Sequence, residues 1–159
     1  MNGRAPVSTG GSVGFAALIT WFAAVLAGLY MFTVWLIEND VTARRVAPSQ
    51  LPVPVIFTHL VLAITGLILW AAYLILDREA LAWAAFGVLA VIVLLGLTMF
   101  ARWIPVYREP VQPGRQVTDR PLAVPAERNF PIVVVAGHGL LAATTLVLVL
   151  LTALGIGGS

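Results

Sequence analysis

The sequence predicts an all-α integral membrane protein, a four-helix bundle built from two duplicated helical hairpins about a pseudo-two-fold axis. Three observations predict it. Hydrophobic residues make up 60% of the 159 and charged ones only 10%, where a soluble domain carries about 25% charged residues. Four stretches, 14–37, 51–76, 80–104 and 131–156, are long and apolar enough to cross a hydrocarbon core of about 30 Å. The first and third stretches resemble each other, as do the second and fourth. Backbone polar groups cannot go unpaired in lipid, so each stretch is read as a helix.

Taken in order, residues 1–13 are small and polar and predict a loose tail. The span 14–37 is too long for a signal-peptide core and lacks a clear small-residue cleavage site, so it is read as a retained helix. A short charged link, "ENDVTARRVAPSQ", leads to the span 51–76, which completes a first hairpin. "LDREAL" predicts a tight turn into the span 80–104. The link 105–130 holds Pro105, Pro110, Pro113, Pro121 and Pro125 and is expected to be extended and irregular. Span 131–156 closes the second hairpin. Pro52, Pro54 and Pro131 stand where the second and fourth helices begin, the place a helix tolerates proline best.

Charge predicts orientation. Arg44, Arg45, Arg102, Arg108, Arg115, Arg120 and Arg128 fall on one side, Arg4 and Arg78 on the other. The positive-inside rule then places both arginine-rich links in the cytoplasm and both termini outside, in a multi-pass protein of the cytoplasmic (inner) membrane. The arginines are spread over loops and the net charge is only +2, so nucleic acid is not an expected partner. The absence of cysteine excludes disulfides and thiolate-held metal clusters.

The repeat joins the two histidines of the chain. "GLYMFTVWLI" from Gly28 and "GLTMFARWIP" from Gly96 agree at Gly, Leu, Met, Phe and Trp. Aligning His59 with His138 pairs Pro52 with Pro131, Leu62 with Leu141, Ala63 with Ala142 and Thr65 with Thr144. Two hairpins of the same orientation form a parallel repeat about an axis along the membrane normal. Each histidine then lies seven residues past its proline, roughly 10 Å along at 1.5 Å per residue. Intramembrane ionisable groups are functional candidates, although interhelical hydrogen bonding alone would also account for a buried histidine.

Two neutral imidazoles across a bundle suit the axial positions of a haem iron. Ala63 and Ala142 at i+4, and Gly66 and Thr145 at i+7, keep the histidine faces small, and Gly28 and Gly96 offer clearance on the partner helices. Met31, Phe32, Met99 and Phe100 follow one turn on, with Trp35 and Trp103 beyond them. Arg45, Arg102 and Arg128 flank the helix ends nearest the histidines, and guanidinium binds carboxylates such as haem propionates in a fork.

With its "TH" and "GH" positions in this setting, the chain resembles the membrane cytochromes b, four-helix bundles holding b-type haem between two histidines. That resemblance implies electron transfer with a redox or respiratory membrane partner, commonly through a quinone. Two histidines hold one haem b, which cannot by itself carry electrons across a whole membrane. Copper is a rival, because Met31 and Met99 beside the histidines suit Cu(I). Zinc sites want more ligands than the spans supply. No base–nucleophile set for hydrolysis is visible, and whether the chain is an enzyme stays open. The non-metal alternative is a structural accessory subunit of a membrane complex.

Overall fold

The computed structural model describes residues 9–38, 49–108 and 125–156. They form α1 (Thr9–Glu38), α2 (Val53–Leu76), α3 (Glu79–Arg108), a short 3-10 turn (Ala126–Asn129) and α4 (Ile132–Ala153). All four helices are long and apolar enough to span a membrane, and no strand occurs among the described residues. Large apolar side chains face outward along them, Ile75 being 81% and Val133 79% exposed. Lipid, not water, is the surrounding such a surface fits.

The chain makes a square. α1 packs mainly on α4 and α2 mainly on α3, with looser seams between α1 and α2 and between α3 and α4. α2 and α4 therefore stand on a diagonal and run the same way, as the repeat requires. Pro52 and Pro131 cap them at extended backbone angles. The turn from α2 to α3 takes only Asp77 and Arg78, with Asp77 in the left-handed region and its N–H donating to the Tyr73 carbonyl.

Two helix limits differ from expectation. α1 begins at Thr9, within the stretch expected to be a loose tail. Trp70, fully buried, donates its indole N–H to the Gly14 carbonyl at 3.1 Å and ties that first part of the helix to α2. α3 runs through Pro105 to Arg108, where an irregular link was expected. Proline there removes one helical hydrogen bond. The turn survives because Trp103 and Val106 on either side are buried, and Trp103 donates to the Glu127 carbonyl at 3.0 Å. Pro110, Pro113 and Pro121 lie outside the described residues.

Two cores hold the bundle. One gathers Trp21, Trp70, Ala85, Leu89 and Val149; the other gathers Trp35, Leu51, Trp103 and Phe130. In lipid, close packing and interhelical hydrogen bonds do most of this holding, since hydrocarbon outside is as apolar as the core. The second core ends in a polar clasp. Glu127 is fully buried in the 3-10 turn and accepts the backbone N–H of Gln50, joining the approach to α2 to the approach to α4.

Removing that acceptor takes away a part-buried hydrogen bond to the Gln50 N–H, worth about 0.5–1.5 kcal/mol, and empties the buried space of the Glu127 side chain. Glu127→Ala should therefore lower the thermal midpoint in detergent by several degrees. Glu127→Gln keeps an acceptor oxygen for the Gln50 N–H and should stay close to the wild type. Equal losses in the two variants would mean that the clasp is not what holds this end.

Candidate functional site

His59 on α2 and His138 on α4 meet between the two cores. Their ring centres are 6.2 Å apart with the planes at 57°. The Nδ1 of His59 lies 3.1 Å from the Ile92 carbonyl on α3, and the Nδ1 of His138 lies 2.9 Å from the Ala24 carbonyl on α1. A carbonyl can only accept, so Nδ1 carries the proton in both rings. Ile92 and Ala24 are themselves equivalent positions of the repeat, so the two halves build one hydrogen bond twice. Nε2 is then the ring nitrogen with a free lone pair, and no described residue hydrogen-bonds to it in either ring. This is the pattern by which a protein orients a histidine as a metal ligand.

Both rings border an apolar cavity of about 450 Å³, within the range of roughly 300–1,000 Å³ usual for small-molecule and cofactor sites. It lies between the α1–α4 pair and the α2–α3 pair, with Trp21 toward one end and Trp35 and Trp103 at the other. Ala63 and Ala142 line it as the sequence suggests, as do Met31, Met99, Phe32 and Phe100. Among the described residues no three His, Cys, Asp or Glu side chains gather as a metal site. Any ion held here has two imidazoles, with thioethers nearby, as its protein donors.

The glycines serve the histidines first. A Cβ on Gly28 would lie 3.3 Å from Cε1 of His138, and one on Gly96 would lie 3.3 Å from Cε1 of His59. Each glycine thus lets an imidazole from the neighbouring helix lie close against its backbone, while both still border the cavity. Gly66 does not line the cavity. The indole of Trp21 fills its space, with Cζ2 only 2.6 Å from where a Cβ would stand. Its repeat partner Thr145 does line the cavity, its hydroxyl 2.9 Å from Thr20 Oγ1 and 2.8 Å from the Leu141 carbonyl.

The arginines stand apart from the rings. Arg102 reaches the Gln50 carbonyl at 3.4 Å and borders a separate, smaller cavity with Pro105 and Pro125. Arg128 sits in the 3-10 turn and does not line the histidine cavity. Both flank its Trp35–Trp103 end. Arg45 lies outside the described residues. Trp21 and Glu127 were not singled out from sequence. A tryptophan in an apolar span and a glutamate in a proline-rich link look ordinary until the fold brings them to Gly66 and Gln50.

The Trp21–Gly66 fit can be checked by adding one methyl group. Gly66→Ala should lower the thermal midpoint, by the roughly 1–3 kcal/mol that overpacking costs. Gly87→Ala meets nothing within 4 Å and should match or exceed the wild type, since alanine is favoured over glycine in a helix by about 1 kcal/mol. Indistinguishable midpoints for the two variants would contradict the wedge.

Compared with protein-family models, with curated proteins and with solved structures, the chain finds no match. What the site does is therefore read from its own geometry.

Proposed function

We propose that the chain is a membrane haem protein, holding one b-type haem between His59 and His138 and serving in one-electron transfer or as the haem-bearing subunit of a redox complex. The observation that carries this reading is the spacing of the rings. Metal–imidazole bonds of about 2.0 Å, with about 1.1 Å more from each nitrogen to its ring centre, separate two ring centres by about 6 Å when one ion lies between them. The rings of His59 and His138 are 6.2 Å apart.

The surroundings support a flat macrocycle over a bare ion. An ion alone does not need a cavity of about 450 Å³ with apolar walls. The carbonyls of Ile92 and Ala24 hold the rings by their far nitrogens, so ligation needs little reordering of side chains. Bound there, the iron would supply reversible one-electron oxidation and reduction. The chain's own part is to keep both imidazoles neutral and aimed inward and to exclude water with the indoles at either end. Arg102 and Arg128, which flank the Trp35–Trp103 end of the cavity, would pair with the propionates. A single haem at this depth serves one side of the membrane, so electrons would pass to a partner redox protein or a quinone rather than across the bilayer unaided.

The nearest rival is Cu(I) bound by the same imidazoles with Met31 and Met99, which line the same cavity. Absorption spectra of the detergent-purified protein, oxidised and dithionite-reduced, separate the two. A low-spin b-type spectrum is expected, lost or turned high-spin in His59→Ala and His138→Ala and retained in the double variant Met31→Leu, Met99→Leu, which nearly conserves volume. A copper site would instead lose affinity with the thioethers. Histidine variants with unaltered spectrum and stability would leave a structural accessory subunit as the reading.

We place the arginine-rich links in the cytoplasm of an inner-membrane protein, following the charge asymmetry. A cysteine at Gln116, which lies outside the described residues, should react with a membrane-impermeant maleimide only after cells are opened. Labelling of intact cells would reverse the topology.

A further inference from the structure

The two seams of the square differ where the repeat would make them alike. Phe57 stands over the α1–α2 seam, edge-on to Phe32 with ring centres 5.5 Å apart at 84°. The equivalent of Phe57 in the second hairpin is Ala136. The equivalents of Leu60 and Ile64 are Gly139 and Ala143. Three large side chains on α2 are thus matched by three small ones at the equivalent positions of α4. The cavity follows this difference. Ala136, Gly139 and Ala143 all border it and are all exposed, as are Leu97 and Phe100 across from them on α3. No residue that borders it from α1 or α2 is exposed.

We propose that the histidine cavity opens sideways into the bilayer between α3 and α4. A flat, lipid-soluble macrocycle would pass through this portal to reach the two imidazoles, and Ala136, Gly139 and Ala143 set its width. The proposal rests on the haem reading of the site and adds the route and the selecting residues. The α1–α2 seam is the closed wall: Phe57 on Phe32 covers the position that Ala136 leaves bare beside Phe100. The occupant comes from the membrane because the exposed lining residues are apolar and lie within spans, where the outside medium is hydrocarbon. The ends of the cavity offer no comparable opening, since Trp21, Trp35 and Trp103 are all buried there.

The repeat itself supplies the test. Ala136→Phe, Gly139→Leu and Ala143→Ile together install on α4 the side chains of the equivalent α2 positions. Haem-free protein in phosphatidylcholine vesicles is mixed with haemin, and growth of the low-spin absorption band is followed. The wild type should fill, and the triple variant should fill at least tenfold more slowly. Adding Phe57→Ala, Leu60→Gly and Ile64→Ala to the triple variant opens the other seam and should restore a fast rate. Filling of the triple variant at the wild-type rate overturns the portal and leaves the haem reading intact. Failure of the wild type to bind haemin overturns both. If the triple variant does not assemble, Gly139→Leu alone is read in the same way, slower filling supporting the portal and an unchanged rate overturning it.

Discussion

One hydrogen bond, made twice, organises the molecule: an imidazole N–H on one helix held by a backbone carbonyl on the helix beside it. Those carbonyls, on Ile92 and Ala24, also belong to the helical backbone of their own spans. A carbonyl has two lone pairs and can accept a second donor without breaking the helix. In hydrocarbon there is no water to take a histidine's proton in its place. The ring is therefore fixed, and its second nitrogen is presented to the space between the helix pairs. Gly28 and Gly96 follow from this, because the approach needs backbone with no side chain above it.

Around that shared device the two halves have diverged in complementary pairs. Trp21 on α1 is matched by Gly66 on α2, so the extra volume of one is taken up by the absence of the other. In the second half a leucine stands in the place of Trp21 and Thr145 in the place of Gly66, where the hydroxyl meets Thr20. At the opposite end Trp35 and Trp103 remain a pair but hydrogen-bond differently, Trp35 to the Ser49 hydroxyl and Trp103 to the Glu127 carbonyl. Symmetry is kept where two rings must meet and relaxed where only volume must be conserved. Close-packed interiors allow that kind of exchange.

Much of the bundle was legible from sequence because membrane spans obey few rules. Composition and length give four helices, and the repeat gives parallel diagonals and matched histidine depth. The pairing of His59 with His138 was legible for the same reason. Their carbonyl partners were not, since every residue has a carbonyl and only the fold chooses one. The role of the glycines was half visible: small residues beside a histidine suggest clearance, but not that the histidine itself occupies it. Pro105 misled because a proline near the end of an apolar run ordinarily marks the end of the helix. Its continuation depends on Trp103 meeting Glu127, a contact 24 residues apart in sequence. The mismatch of Phe57 with Ala136 stood in the aligned repeat, yet only the position of the cavity gives it meaning.

The two-residue turn between α2 and α3 bears on how the molecule is made. It joins two helices that are also packing partners, so the half of the square carrying His59 can form as soon as α3 has left the ribosome and entered the membrane. The other half pairs α1 with α4, the first of the four helices with the last. During synthesis α1 can meet α2, through Trp70 and Gly14 and through Trp21 and Gly66, but its main packing face waits until α4 arrives. The two imidazoles can thus face each other only after all four helices are inserted. The space between the two rings therefore exists only in the finished bundle, whatever the order in which the seams close.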